Sequence, residues 1–279
     1  MNIRIVTDST ADLPQEVFDS LQITVVPLTV SISGKEYQDR VDITPSEWIQ
    51  LIQSSQDVPK SSQPAVGKFV NVYEALLQEC DHVISIHLTD KLSGTVHTAK
   101  QAADLVDGNV TVIDSLFVSR ALGFQVQTAG ELAKEGAPFE QIIEKLSAIR
   151  KRTKLYIIVD TLEYLARGGR IGKGRALLGS LLKIKPIASL VDGEYTPIQK
   201  VRKATQGFQF MINQLQQDAK LGLIKGVSIA HADAQGYAKA LQQLIHERCN
   251  LPCDITETTP IISTHTGPGA YAFFYYIDE

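Results

Sequence analysis

The chain has 279 residues, 44% hydrophobic and 21% charged, close to globular averages, which excludes a disordered or collagen-like chain. Its length fits one large domain or two of moderate size and can bury a core without disulfides or metal. The net charge of −4 argues against a nucleic-acid partner, and no apolar run reaches the ~20 residues of a membrane span.

The three cysteines, Cys80, Cys249 and Cys253, are an odd, scattered set and form no disulfide framework. Cys249 and Cys253 lack a second ligand pair, so no metal site is expected. Met1 leads within two residues into strand-like Ile3 to Val6, which leaves no room for a signal peptide. A cytoplasmic protein without stable membrane insertion is the expectation.

The first half alternates strands and helices. Ile3 to Val6 is an apolar strand ending at Thr7-Asp8-Ser9, and Ile23 to Ile32 reads as extended chain before the turn Ser33-Gly34-Lys35. Thr44-Pro45-Ser46-Glu47 has capping-box spacing with proline at the first helical position, predicting a helix through about Ile52. Lys60-Ser61-Ser62-Gln63-Pro64 is a polar stretch that opens a helix striped by Phe69, Val72, Tyr73 and Leu76. Val83 to Leu88 is a strand, followed by the loop Thr89 to Thr95 and a helix through Ala99, Ala102 and Val106. Val110 to Ile113 is a strand ending at Asp114-Ser115, and helices follow near 119–135 and 139–151.

The second half begins with a strand from Leu155 to Val159 and changes texture at the Gly-rich basic loop Arg167 to Arg175. A short helix is predicted through Leu177, Leu178, Leu181 and Leu182. Ile187 to Val191, the turn Asp192-Gly193 and Tyr195 to Val201 read as a hairpin. Helices near 204–220 and 236–248 flank a strand at Val227 to Ala230. The chain closes with Ile255 to Thr258, a His265-Thr266-Gly267-Pro268-Gly269 turn and a strand from Tyr271 to Ile277. The fold class is therefore α/β with two domains: an α/β/α parallel-sheet domain over 1–153, then an α+β domain with a mixed sheet over 154–279.

Charge is distributed unevenly. Arg150 to Lys203 carries 13 Lys and Arg against the four acids Asp160, Glu163, Asp192 and Glu194, a local +9 on a body of −13. Such a face either solvates the second domain or docks a negative partner.

Ligands of open α/β sheets bind at the carboxyl ends of the strands. Asp8-Ser9, the loop Leu92-Ser93-Gly94-Thr95 and Asp114-Ser115 all fall there. Ser93 either caps its helix or helps bind an anion at the helix start, where Gly94 permits close approach. Ser61 and Ser62 have the same two readings, and His265 is held beside a tight Gly-Pro-Gly turn. Gly168 to Lys173 fails the P-loop spacing, no Gly-x-Gly-x-x-Gly follows the first strand, and Ser93 is not in a nucleophile elbow. No cofactor is expected.

Six motifs in order resemble the DegV family: Val6-Thr7-Asp8-Ser9, Ser61-Ser62-Gln63-Pro64, Leu92-Ser93-Gly94-Thr95, Val112-Ile113-Asp114-Ser115, Leu162 to Ile171, and His265 to Gly269. The resemblance spans essentially the whole chain. It implies a long-chain fatty acid held between the two domains, in a non-catalytic subunit of bacterial fatty acid kinase. A separate ATP-dependent kinase subunit would phosphorylate the presented carboxylate, giving an acyl phosphate for phospholipid synthesis. Carried over by motif, the carboxylate meets Ser61, Ser62, Ser93, Gly94, Thr95 and His265. Arg170 and Arg202, with the neighbouring Lys203, resemble the basic residues with which family members meet the kinase subunit. Ser61 stands where the family usually has threonine, and Thr205 where it often has a basic residue. Burying about 16 carbons at about 0.8 kcal/mol per methylene supplies on the order of 12 kcal/mol before ordering costs. Hydroxyls, a helix start and a histidine then satisfy the carboxylate without a fixed cation. The alternatives are a stand-alone hydrolase or phosphotransferase using Ser93 and His265, which needs a base aligned on Ser93 and an orienting carboxylate, Asp8 or Asp114, and a lipid-responsive regulator.

Overall fold

Apolar residues on both faces of a strand require cover on both sides, and the N-terminal strand has that pattern. In the computed structural model, which describes residues 2–179 and 184–278, Ile3, Ile5 and Val6 are all buried, with Val6 on the opposite face from the other two. The chain runs through β1 (Ile3–Asp8), α1 (Gln15–Ser20), β2 (Thr24–Val26), the hairpin β3 (Thr29–Ile32) and β4 (Lys35–Gln38), and α2 (Pro45–Ser54). It continues with β5 (Lys60–Ser62), α3 (Val66–Leu77), β6 (His82–His87), α4 (Thr95–Ala103), β7 (Val110–Asp114), α5 (Arg120–Lys134) and α6 (Phe139–Arg152). The second half comprises β8 (Thr153–Ile158), α7 (Glu163–Arg167), β9 (Lys185–Val191), β10 (Glu194–Val201), α8 (Ala204–Asp218) and β11 (Leu223–Ala232). It ends with α9 (Gln235–Cys249), β12 (Asp254–Glu257), α10 (Pro260–Thr266) and β13 (Ala270–Asp278).

β2, β1, β6 and β7 form a parallel four-stranded sheet in that order. Ile3, Ile5, Ile84 and Ile86 pack on α5 and α6 through Leu122, Val126, Ala129, Ile142 and Leu146. Val6 and Val83 pack on α3 and α4 through Phe69, Tyr73, Ala99 and Ala102. This is the expected α/β/α sandwich. The second half is a mixed six-stranded sheet, β10-β9-β8-β13-β11-β12, antiparallel except for the β11/β12 pair. One face is covered by α8 and α9, through Phe208, Met211, Leu215, Leu241 and Ile245. Its other face, with Leu155, Ala188, Leu190, Ala230 and Phe274, packs against Phe117, Ala121, Phe124 and Ile149 of the first half. The predicted hairpin is present, with Asp192 and Gly193 at φ 51° and 81°, the left-handed pair that a two-residue turn requires.

Four expectations change. The extended run Ile23 to Ile32 is broken at Pro27, so β2 joins the parallel sheet and β3 leaves it; proline lacks the N–H that would continue the ladder. The polar stretch at Lys60 is not a helix opening but strand β5, paired antiparallel with β3 at Thr29–Ser62 and Val30–Ser61. With β4 it completes a three-stranded sheet, and α2 packs on it through Trp48 and Ile52. His265 lies not in a turn but in the last turn of α10, and the turn is Gly267 to Gly269. The predicted leucine helix is a 3-10 stretch, Gly172–Leu177, followed by extended Leu178. Gly172 at φ 49° resists a regular helix there, and Leu181 and Leu182 lie outside the described residues.

Candidate functional site

The parallel register brings the carboxyl ends of β1, β6 and β7 to one edge, so Asp8, His87 and Asp114 are neighbours along it. Asp8 is fully buried. Its Oδ2 pairs with His87 Nδ1 at 3.0 Å and accepts the Leu88 N–H at 2.9 Å, while Oδ1 accepts the Thr10 hydroxyl at 2.6 Å. His87 Nε2 continues to Ser85 Oγ at 2.7 Å, and Ser85 to the Tyr73 hydroxyl at 2.8 Å. Asp114 accepts from the backbone N–H groups of Leu116 and Asp90 at 2.8 and 3.2 Å. Both carboxylates are thus engaged in shaping the strand ends, and neither orients His265.

Beyond this edge, between the parallel sheet, the small sheet and the mixed sheet, lies a cavity of about 260 Å³. Its walls are mainly aliphatic: Leu28, Leu88, Leu92 and Val118 from the first half, Ile157, Leu165, Leu190, Ile261 and Ile262 from the second. Its polar lining consists of Ser61, Ser62, Gln63, Ser93, Arg170, Tyr195, His265 and Thr266. A second cavity of about 60 Å³ shares Val118, Ile157, Ile262 and Thr266 with the first and is lined further in by Ala230, Ala232, Ala270 and Ala272. The small side chains of β11 and β13 keep that space open.

His265 and Ser61 meet at the polar end, with Nε2 and Oγ 2.7 Å apart. Burial, with the Arg170 guanidinium adding to it, pulls His265 down to about 4, so the imidazole is neutral near pH 7. Its Nδ1 is buried without a hydrogen-bond partner. The tautomer protonated at Nε2 leaves only a lone pair unpaired there rather than an N–H, and it donates to Ser61. The Ser61 hydroxyl is then free to donate to an anion. A Cβ at Gly168 would collide with His265 Nδ1, so glycine is what lets the ring seat against the end of α7.

Ser93 Oγ lies 2.9 Å from Thr95 Oγ1 and 3.4 Å from the Thr95 N–H. The cap position of α4 is Gly94, without a side-chain capping bond, so Ser93 is in the cavity wall rather than serving as the cap. The structure therefore gathers Ser61, Ser62, Ser93 and His265 on one cavity. Gly94 and Thr95 sit behind it: a Cβ on Gly94 would strike the Gln63 side chain, and Thr95 is fully buried.

Arg170 has a different setting from the one its loop suggested. It lines the cavity, half-buried, its Nε donating to the Leu92 carbonyl at 2.9 Å and Nη1 to the Gly168 carbonyl at 2.5 Å. A fixed cation does stand at the site. Arg202 and Lys203 are exposed at the start of α8, where Gln206 Oε1 accepts both of their backbone N–H groups. Neither has an ion pair among the described residues, whereas Lys185, Lys173 and Arg167 of the same basic segment are paired with Asp160, Glu194 and Glu163.

The family model for DegV, described as "Uncharacterised protein, DegV family", matches residues 2–278. The chain belongs to the DegV family. It is 44% identical over 280 residues to a DegV domain-containing protein of Listeria monocytogenes, covering 99% of each chain. It is 43% identical over 267 residues to one of Staphylococcus aureus, covering 95% of each. Among solved structures it is similar to a fatty-acid-binding DegV family protein from Thermus thermophilus, with 36% identity, TM-score 0.94 and all of both chains covered. It is also similar to DegV from Bacillus subtilis, a fatty acid binding protein, with 32% identity, TM-score 0.91 and all of both chains covered. A stearic-acid-binding protein from Eubacterium ventriosum aligns at 25% identity and TM-score 0.89, over 99% of this chain and 98% of the other.

In this DegV chain the Ser61, Ser93 and His265 motifs converge on the cavity, while the two Asp-Ser motifs build the floor beneath it. Two wall residues, Gln63 and Tyr195, were not singled out from the sequence. Gln63 was within a recognised motif, and its Nε2 reaches Thr98 Oγ1 at 2.5 Å. Tyr195 reads as an ordinary hairpin residue; only the tertiary fold turns it to the cavity. No group of His, Cys, Asp or Glu suited to a metal occurs among the described residues, and none of their helices is long and apolar enough to cross a membrane.

Proposed function

We propose that this DegV chain binds a long-chain fatty acid with its carboxylate at Ser61, Ser93, His265 and Arg170, and its tail along the aliphatic cavity toward the mixed sheet. The observation that carries this reading is the pairing of an apolar cavity with a polar end where a neutral histidine, hydroxyls and a guanidinium converge. A buried carboxylate needs such donors, because leaving it unpaired forfeits what the tail gains. The fatty acids in the related T. thermophilus, B. subtilis and E. ventriosum proteins support the choice of ligand. In this reading the ligand lies between residues 1–153 and 154–279, with Ser62 beside the head group and Gly94 and Thr95 shaping the wall behind Ser93.

The chain acts as a substrate-presenting subunit without catalysis of its own, and a separate cytoplasmic kinase subunit acts on the presented head. The carboxylate oxygen attacks the γ-phosphorus of ATP, ADP leaves, and an acyl phosphate forms. Arg202 and Lys203, exposed and without acidic partners among the described residues, provide the docking charge, and Arg170 stands at the head group. The hydrolase alternative is disfavoured by geometry: His265 pairs with Ser61, Ser93 pairs with Thr95, and Asp8 is committed to His87. Stearate-loaded protein is incubated with ATP and the kinase subunit in hydroxylamine, which traps acyl phosphate as hydroxamate. Hydroxamate only when both proteins are present supports presentation; hydroxamate from this chain alone contradicts it.

A further inference from the structure

One buried titratable group near the site has no part in the binding scheme above. Asp39 follows β4 and has no exposed surface. Its backbone N–H donates at 2.9 Å to the carbonyl of Leu28, the residue before β3 and itself in the cavity wall. Its side chain crosses to the other half of the chain, where Oδ1 accepts the N–H of Ile261 at 3.4 Å. The Ser9 hydroxyl, which accepts the Leu28 N–H at 3.3 Å, favours the ionised carboxyl, while Oδ2 is buried without a hydrogen-bond partner. Ile261 is in the first turn of α10, and His265 is in its last. On the near side, β3 carries β5, and β5 carries Ser61. The carboxyl thus joins the two elements whose far ends form the Ser61–His265 pair. A second tie, from Trp48 Nε1 to Thr264 Oγ1 at 3.0 Å, fixes α10 to α2.

We propose that Asp39 is a positioning residue for the head-group site, tying α10, and with it His265, to the sheet that carries Ser61. The proposal rests on the carboxylate-binding reading of that site. Burial pushes Asp39 up to about 7. The charged groups facing it are Asp12, from the loop after β1, and Arg40, beside it in the chain. Asp12 is also pushed up by burial, and α10 brings no titratable group to this end. Below about pH 7 Asp39 is neutral and the contact is quiet. Above it, a buried carboxylate with one oxygen unpaired lies beside Asp12, and the strain is relieved by parting α10 from the small sheet. Fatty acid affinity therefore falls as pH rises through 7. His265, held near 4, cannot be the source of that dependence.

The experiment measures stearate binding to delipidated wild type, Asp39→Asn and Asp39→Leu from pH 6 to 8.5. Asparagine keeps an acceptor for Ile261 and cannot ionise; leucine removes the acceptor. The wild-type affinity is expected to fall about fivefold over this range relative to Asp39→Asn, which cancels the ionisation of stearate itself. Asp39→Leu is expected to bind about tenfold more weakly throughout. In parallel, the His265 Cε1–Hε1 signal of the ligand-free protein is followed by NMR. It inflects near pH 7 in wild type and not in Asp39→Asn. A pH profile that Asp39→Asn shares with wild type, or a His265 signal with no inflection near 7, overturns the proposal. Should stearate bind neither protein, the fatty acid reading fails, while the His265 signal still decides the role of Asp39.

Discussion

His265 Nε2 and Ser61 Oγ lie 2.7 Å apart although 204 positions separate them in the chain. The contact crosses from a short strand of the first half to a short helix of the second. If it forms the carboxylate site, Ser61→Ala and His265→Ala each weaken fatty acid binding by about 1–3 kcal/mol, the cost of removing one partner from a buried hydrogen-bonded group. Ser61→Thr keeps the hydroxyl and binds as wild type. Stearate titration of the three variants, with thermal melts to show that each folds, checks this.

The arginines of the basic segment separate into two roles. Arg202 is exposed and Arg170 lines the cavity. Arg202→Glu and Lys203→Glu are expected to leave stearate binding unchanged while sharply lowering acyl phosphate formation, with the loss greatest at low salt. Arg170→Glu is expected to reduce both, because it places a carboxylate beside the bound one. Equal effects of Arg170→Glu and Arg202→Glu on stearate binding would contradict this division.

The low affinity of His265 for protons has a stability consequence. Its ordinary value of 6.5 falls to about 4 on folding, so the unfolded chain takes up a proton that the folded chain refuses. Stability from this group is complete above about pH 6.5 and is lost as pH falls toward 4. The loss at pH 4.5 is on the order of 2 kcal/mol. Urea unfolding at pH 7 and 4.5 should show a smaller acid loss in His265→Gln than in wild type.

The second cavity gives a prediction about tail length. Ala232 is 3% exposed and lines it, while Val118 and Ile157 border both cavities. Ala232→Val fills part of that space and should shift the bound distribution toward shorter chains with little effect on head-group affinity. Competition between acids of different length, read by mass spectrometry, measures the shift.

Much of this was legible in the sequence, for identifiable reasons. The apolar runs at Ile3, Val83 and Val110 gave the parallel sheet because strands buried on both faces have that texture. Asp192-Gly193 gave the hairpin because its two residues tolerate positive φ. β5 was hidden because Lys60-Ser61-Ser62 has no alternation, and only pairing with β3 makes it a strand. α10 was hidden by its seven residues, too few for a periodic signal, and by the Gly-Pro-Gly turn that dominates its end. The two elements that bring Ser61 and His265 together were thus the least visible. Arg170 read as surface because a basic Gly-rich loop normally is; its hydrogen bonds to Leu92 and Gly168 carbonyls turn it inward.

Occupancy of the cavity between the two halves of the chain by a fatty acid can be read directly from the ligand that co-purifies. The measurement is mass spectrometry of organic extracts from purified, denatured protein, quantified against protein concentration, with Ser61→Ala/His265→Ala purified in parallel. Near-stoichiometric free long-chain fatty acid is expected from wild type, with a marked reduction from the double variant. Recovery of a nucleotide or sugar phosphate and no lipid, or equal fatty acid from both proteins, would contradict that occupancy.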